Sequence, residues 1–332
     1  MAQDEPTGPR LENPPSRPTQ LTKGSWINVL KRTVKEFNED NLTDWAAALT
    51  YYGVLSIFPG ILVLLAVSGM LLTDTTQNAV LKNTQELFPA SIAGPVNSAV
   101  DELKQGSGSA GVLAIIGLLG AVWTASGYVG AFIRAANSIY DVPEGRPIWK
   151  VLPIRLGVTV VVGVLISLAA LSIVFTGRFA EQAGSWIGLS KQAVQIWDIA
   201  KWPVLLLIVV VILAVLYYAS PNARQTGFRW VTPGGGLAVL IWLIASAGFA
   251  IYVGNFSSYN KTYGTLGGII AFLVWLWISN IAILLGAEFD AELERGRAIQ
   301  GGLPADQEPF MPLRDASKVD ASKVKESDDP DL

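Results

Sequence analysis

From Ala46 to Leu72 the chain runs without a single Lys, Arg, Asp or Glu. Wound as a helix at 1.5 Å per residue, that run reaches ~40 Å, more than the ~30 Å of a bilayer's hydrocarbon core. A chain with such a run is expected to fold in a membrane. In lipid every backbone N–H and C=O must be satisfied inside the spanning element, which leaves α-helices and closed barrels. A barrel would read as short alternating segments, whereas the apolar runs here are long and continuous. The expected fold class is all-α and polytopic.

Five more apolar runs follow, and the spans are expected at about residues 46–72, 110–137, 152–176, 202–219, 231–256 and 263–289. With 51% hydrophobic and 15% charged residues, the composition agrees with a multi-pass membrane protein. Between the spans lie polar stretches, one with Ile92, Val96, Val100 and Leu103 at helical spacing and another, 177–201, carrying Trp186, Ile187, Ile196 and Trp197. These are expected to be interfacial pieces. Before the first span, Trp26, Leu30, Val34 and Phe37 recur at helical spacing opposite Lys31, Arg32 and Lys35, the pattern of an amphipathic helix in the headgroup layer.

The domain division expected is a disordered tail over 1–24, a six-helix transmembrane domain over 25–299 and a disordered acidic tail over 300–332. Pro6, Pro9, Pro14, Pro15 and Pro18 crowd the first tail among polar residues. No secretory signal is expected, since the first long apolar run begins only near Ala46. Lys23, Lys31, Arg32, Lys35, Arg134, Arg146, Lys150, Arg155, Arg224, Arg229, Arg295 and Arg297 all fall on the side of the termini. Fewer basic residues occupy the opposite, longer loops, so both termini are expected in the cytoplasm. The connections after spans two and four share a Tyr-x-x-Pro-x-x-Arg spacing, Tyr140, Pro143, Arg146 and Tyr218, Pro221, Arg224, which admits either a parallel internal repeat or the common interface preference of these residues.

The chain contains no Cys and no His. Disulfides, thiolate nucleophiles, Ser-His-Asp triads and His-ligated metals are thereby removed from consideration. A net charge of −3, drawn mostly from acidic tails, gives nucleic-acid binding no support. No cofactor is expected.

Counting 1.5 Å per residue from Asp44, Arg134 and Glu288, the polar residues Tyr51 and Tyr52 lie ~10–12 Å deep, and Ser126 and Asn280 ~12 Å deep. With Ser56 they form a candidate polar layer, lining a cytoplasm-facing cavity or knitting the bundle by hydrogen bonds. Asp44, Arg134, Arg155 and Glu288, with Asp290 beside them, form a candidate gate at the helix ends. The alternative there is snorkelling and interfacial ion pairing. Pro59 is a candidate bend in span one. Ser126 and Gly130 in span two, and Gly264 and Gly268 in span six, are small-xxx-small candidates for close helix packing.

Three stretches together, AAALTYYGVLSIFPG, WTASGYVGAFIRAANSIYDVPEGR and YNKTYGTLGGIIAFLVWLWISNIAILLGAEFDAEL, resemble the YihY/BrkB family of bacterial inner-membrane proteins. The likeness covers roughly Trp26 to Arg295. Ala47, Tyr51, Ser56, Pro59, Trp123, Asn137, Tyr140, Tyr263, Gly264, Trp275, Gly286, Ala287 and Glu288 match the family's characteristic positions. The resemblance implies a six-helix inner-membrane protein with cytoplasmic termini and no settled catalytic residues. Family members have been labelled a ribonuclease and a virulence factor. Tested against these residues, ribonuclease activity in tRNA processing lacks a basic groove and convergent carboxylates. The leading expectation is a non-enzymatic, transporter-like protein that handles a lipid or other amphipathic ligand; the alternative is a structural scaffold. Membrane lipids are the expected partners, and the oligomeric state stays open.

Overall fold

A computed structural model of the chain describes residues 14–71, 110–174, 190–254 and 265–319. Among them are seven α-helices: α1 (Lys23–Glu39), α2 (Leu42–Leu71), α3 (Ala110–Ile139), α4 (Ile148–Val174), α5 (Lys191–Ala219), α6 (Phe228–Gly254) and α7 (Thr265–Gln300). The described residues hold no strand beyond one antiparallel bridge, Ala223 to Leu313. The all-α expectation therefore stands.

Among the described residues, four helices are long and apolar enough to cross a membrane, over Ile148–Ile173, Gln192–Ala219, Pro233–Gly254 and Gly267–Gln300. The other two expected spans fall on α2 and α3, whose side chains are described only over 42–57 and 119–139. The amphipathic pattern at Ile92 to Leu103 and the stretch 177–189 lie outside the described residues.

Hydroxyls in the apolar helices bond back to carbonyls of their own helix, as Thr50 does to Ala46, Ser56 to Tyr52, Thr159 to Arg155 and Ser167 to Gly163. A polar side chain satisfied this way costs lipid-facing helices little. The helices pack in chain order, α2 on α3, α3 on α4, α4 on α5, α5 on α6 and α6 on α7, and α7 returns to α2. The result is a closed ring with α1 laid against α7. Apolar side chains point outward, among them Val160, Val164 and Leu168 of α4, Leu206 and Leu207 of α5, and Leu240 and Ile244 of α6. That surface suits lipid.

The buried core gathers at one end of the ring, where Leu42, Leu49, Phe132, Ile139, Tyr140, Tyr217, Leu284 and Phe310 are all nearly inaccessible. This end also carries most of the buried charge, and we call it the charged end. Glycines set the closest crossing there. A Cβ on Gly234 would stand 2.1 Å from the Gly286 carbonyl oxygen, so α6 and α7 touch backbone to backbone.

The structure corrects several expected boundaries. Residues 190–201, read as part of a separate interfacial piece, are the first turns of α5, which Ser190 caps by accepting from Ala193 N. The helix of span six continues past Phe289 to Gln300, because α1 and the terminal segments cover those extra turns. Residues 14–22, expected to be disordered, are tied to the end of α7: Arg297 donates to the Pro15 carbonyl at 3.1 Å and Gln300 to that of Gln20 at 3.2 Å. Residues 303–319, also expected to be disordered, cross the charged end as a strap, with Phe310 stacked on Tyr140 at 6.3 Å. Their apolar Leu303, Phe310 and Met311 fill the core, which composition averaged over a polar tail concealed. In α1, Val29 and Thr33 face α7 while Ile27, Leu30 and Val34 are exposed, so the apolar stripe is split between protein and surroundings.

Candidate functional site

Helix ends build the site. α1 ends at Asp40 and turns through Asn41, whose φ of 52° is left-handed, into α2. α3 ends at Ile139, and Asp141, with φ of 50°, reverses the chain toward α4. Asn and Asp tolerate this conformation better than most residues. The two reversals face one another across an open cleft of about 530 Å³ lined by Asp40, Trp45, Arg134, Asn137, Ser138, Asp141, Val142, Pro143, Glu144 and Glu308.

Most charges in this cleft are already committed. Arg146, almost fully buried, forks onto Glu144 with both contacts at 2.7 Å and donates to the Ser220 carbonyl at 2.8 Å. Arg295 serves three carboxylates, Glu308 at 3.1 Å, Asp141 at 3.6 Å and Glu292 at 3.9 Å. Burial, then the nearby charges of Glu308 and Asp40, push Asp141 up to about 7 against the pull of Arg295. Asp40 takes a 3.4 Å hydrogen bond from Ser138 and meets Glu288 carboxyl to carboxyl. Its burial raises it to about 6. Arg134 is exposed, lines the cleft and makes no ion pair among the described residues.

The expected gate residues part company. Arg134 lines the cleft, and Arg155 of α4 lies within range of its charge, with Nε donating to the Ser126 carbonyl at 2.7 Å and the guanidinium 5.6 Å from the Trp123 ring centre. Glu288 is buried behind Asp40, and one of its oxygens has no hydrogen-bond partner among the described residues. Asp44 is exposed in the first turn of α2, outside the cleft lining.

In the polar layer, Asn280 joins three helices, accepting from the Tyr128 hydroxyl at 2.9 Å and donating to Thr50 at 3.0 Å. Tyr51, by contrast, is 62% exposed on the outer surface. Tyr52 covers Gly127, while Ser56 and Ser126 bond to carbonyls of their own helices. Thr50 and Tyr128 supply the bonds to Asn280, and Tyr51 and Ser126 do not. α2 stays helical through Pro59. Gly130 receives the Arg155 side chain, with Nε 3.2 Å from a Cβ built there. Gly268 meets no described atom within 4 Å, and Gly264 lies outside the described residues.

Sequence reasoning missed Asp40, Asp141, Glu144 and Glu308 as cleft residues, and the burial of Asp290, Glu292 and Glu294 beyond Glu288. Asp290 accepts from Gly234 N at 2.6 Å, Glu292 pairs with Arg32, and Glu294 with Thr226. A signal was present. Ala287, Ala291, Leu293 and Ala298 interleave with those acids, leaving α7 no purely polar face.

A sequence profile of the family described as "Virulence factor BrkB" matches residues 33–309, a range that holds every cleft residue. The chain is 31% identical to the ribonuclease-like protein YfkH of Bacillus subtilis over 82% of its own length and 98% of that protein's. It is 30% identical to a UPF0761 membrane protein of Chromohalobacter salexigens, covering 85% of this chain and 68% of the relative. A UPF0761 membrane protein of Alteromonas mediterranea is 29% identical over 78% of this chain and 85% of its own. No solved structure matches.

Proposed function

The chain belongs to the virulence factor BrkB family of membrane proteins, and from that premise we propose that it is a six-span protein of the bacterial inner membrane, with cytoplasmic termini, that handles a lipid or other amphipathic ligand at the cleft. The observation that carries this reading is the mixed-charge cleft at the helix ends, which holds an uncommitted Arg134 together with crowded carboxylates. α2 and α3, at 30 residues each, reach ~45 Å and have the length for the remaining two spans. Orientation rests on the basic residues near the termini, which belong on the cytoplasmic side.

The scaffold reading keeps one observation in its favour. The Tyr128–Asn280–Thr50 bonds hold the layer together without leaving a polar group waiting for a ligand. Ribonuclease activity has only a relative's name behind it and is not proposed.

Lipid mass spectrometry on gently extracted protein separates the two. Ligand handling predicts a discrete lipid kept by wild type and by Asn280→Ala but lost from Arg134→Ala. Identical bulk phospholipid in all three would leave only the scaffold.

A further inference from the structure

The charges of the cleft do not balance, and the imbalance has two poles. Among the carboxylates, Asp141 and Glu308 share one guanidinium, Arg295, which Glu292 also approaches beside its own pairing with Arg32, while Asp40 faces another carboxyl, Glu288. Negative charge there exceeds its partners. Arg134, which also lines the cleft, has no acidic partner among the described residues, and the charge of a second cation, Arg155, reaches it. A group between them should be anionic at one end and cationic at the other.

Geometry narrows the choice. Arg134 and Ser138 are one turn apart on α3, ~6 Å along the axis, and Asp40 sits on the Ser138 hydroxyl. That span suits a phosphate joined to an amine through two carbons. Carboxylate oxygens accept from N–H donors, which a primary ammonium offers and a quaternary one lacks. Quaternary amines are held instead by aromatic cages, and this cleft is lined by one aromatic ring, Trp45. Three turns from Arg134, and so on the same face of α3, Trp123 is 56% exposed. At ~16 Å along the helix axis from Arg134, it offers an exposed ring along which an acyl chain can run.

We propose that the cleft recognises a zwitterionic phosphoryl-amine group, its phosphate on Arg134, its primary ammonium on Asp40 and Asp141 beside Trp45. The inference rests on the ligand-handling reading of the same cleft and adds the ligand's chemical class. The group is the headgroup of an aminophospholipid or free phosphoethanolamine.

The experiment places the purified full chain in nanodiscs of equal phosphatidylethanolamine, phosphatidylglycerol and phosphatidylcholine, and identifies the lipid retained on release. Wild type, Arg134→Gln, Asp141→Asn and Asn280→Ala are compared, with thermal melting as the folding check. In parallel, soluble phosphoethanolamine is titrated against melting temperature. Wild type is expected to enrich phosphatidylethanolamine, Arg134→Gln to lose retained lipid, and Asp141→Asn to shift about tenfold toward phosphatidylglycerol, the scale of one charge-assisted hydrogen bond. Displacement of the lipid by soluble phosphoethanolamine would identify the free molecule as sufficient; resistance would identify the lipid.

Lipid lost from Arg134→Gln, but with unchanged headgroup preference in Asp141→Asn, overturns the zwitterion and leaves lipid handling intact. Should no form retain lipid while phosphoethanolamine still raises the melting temperature of wild type and not of Arg134→Gln, lipid handling falls and the zwitterion site stands. Neither retention nor a shift overturns both.

Discussion

The Tyr128 hydroxyl donates to the Asn280 side chain at 2.9 Å, joining α3 to α7 across the ring rather than along it. Asn280 then passes a bond to Thr50, so one amide fastens three helices at a single level. Removing it leaves the Tyr128 hydroxyl without its partner in an apolar bundle, while Thr50 keeps its bond to the Ala46 carbonyl. Asn280→Ala is expected to cost about 1–2 kcal/mol, since interhelical hydrogen bonds in membranes are individually modest. Thermal melting in detergent reads that loss, and unchanged melting would show that the bonds do not hold the ring.

A methyl group at Gly234 would stand 2.1 Å from the Gly286 carbonyl oxygen, and one at Gly286 would stand 2.7 Å from the Tyr217 hydroxyl. Neither neighbour is the free end of a flexible chain. Gly234→Ala is expected to separate α6 from α7 and destabilise by about 1–3 kcal/mol, the usual cost of overpacking. Gly268→Ala is the contrasting variant: with open space around it, it should be neutral or gain up to ~1 kcal/mol of helix preference. The melting temperatures of the pair decide whether the crossing lies where the backbone contact places it.

Asp141 sits at about 7 and Asp40 at about 6, both above the ordinary 3.8, chiefly through burial. For an acid raised on folding, the folded state holds protons that the unfolded state has released. Stability from these groups is therefore full below about 4 and lost as pH climbs through about 7. Asp141→Asn should match wild type in melting near pH 4 and exceed it at pH 8. The reverse order would mean that Arg295 outweighs burial at this carboxyl.

Asn222 secures the strap. Its side-chain nitrogen donates to the Asp315 carbonyl at 2.9 Å, its carbonyl accepts from Arg314 N at 2.7 Å, and its side-chain oxygen accepts from Asp315 N at 3.2 Å. Lys150 pairs with Asp315 from the other side, holding that carboxyl well below the usual carboxylate range. Asn222→Ala should loosen residues 303–319 and speed tryptic cleavage after Arg314 about tenfold, the equivalent of one or two net hydrogen bonds. Cleavage at the wild-type rate would show that burial of Phe310 and Met311 alone retains the strap.

Helix and membrane were legible in the sequence because both follow from one local property, the length of a run without charge. The Ala46–Leu72 run announces a helix wherever it sits, since lipid leaves the backbone no other way to satisfy itself. Rise per residue converts sequence position into an expected depth along each helix. Which side chains meet was not legible from spacing. Tyr51 and Tyr52 are sequence neighbours about 100° apart around the helix, and the packing of α3 and α7 turns Thr50 inward and leaves Tyr51 facing out. The strap and the cleft were hidden for a related reason. Asp40 and Asp141 lie in two separated connections and Glu308 in the strap, each stretch polar enough to pass for an exposed turn. Closing the ring through α7 and α2, with α1 laid on α7, brings them to one cleft. Local pattern determined what each segment is. Tertiary closure decided which charges must share a space, because charge imbalance belongs to a place in the fold and to no single stretch of chain.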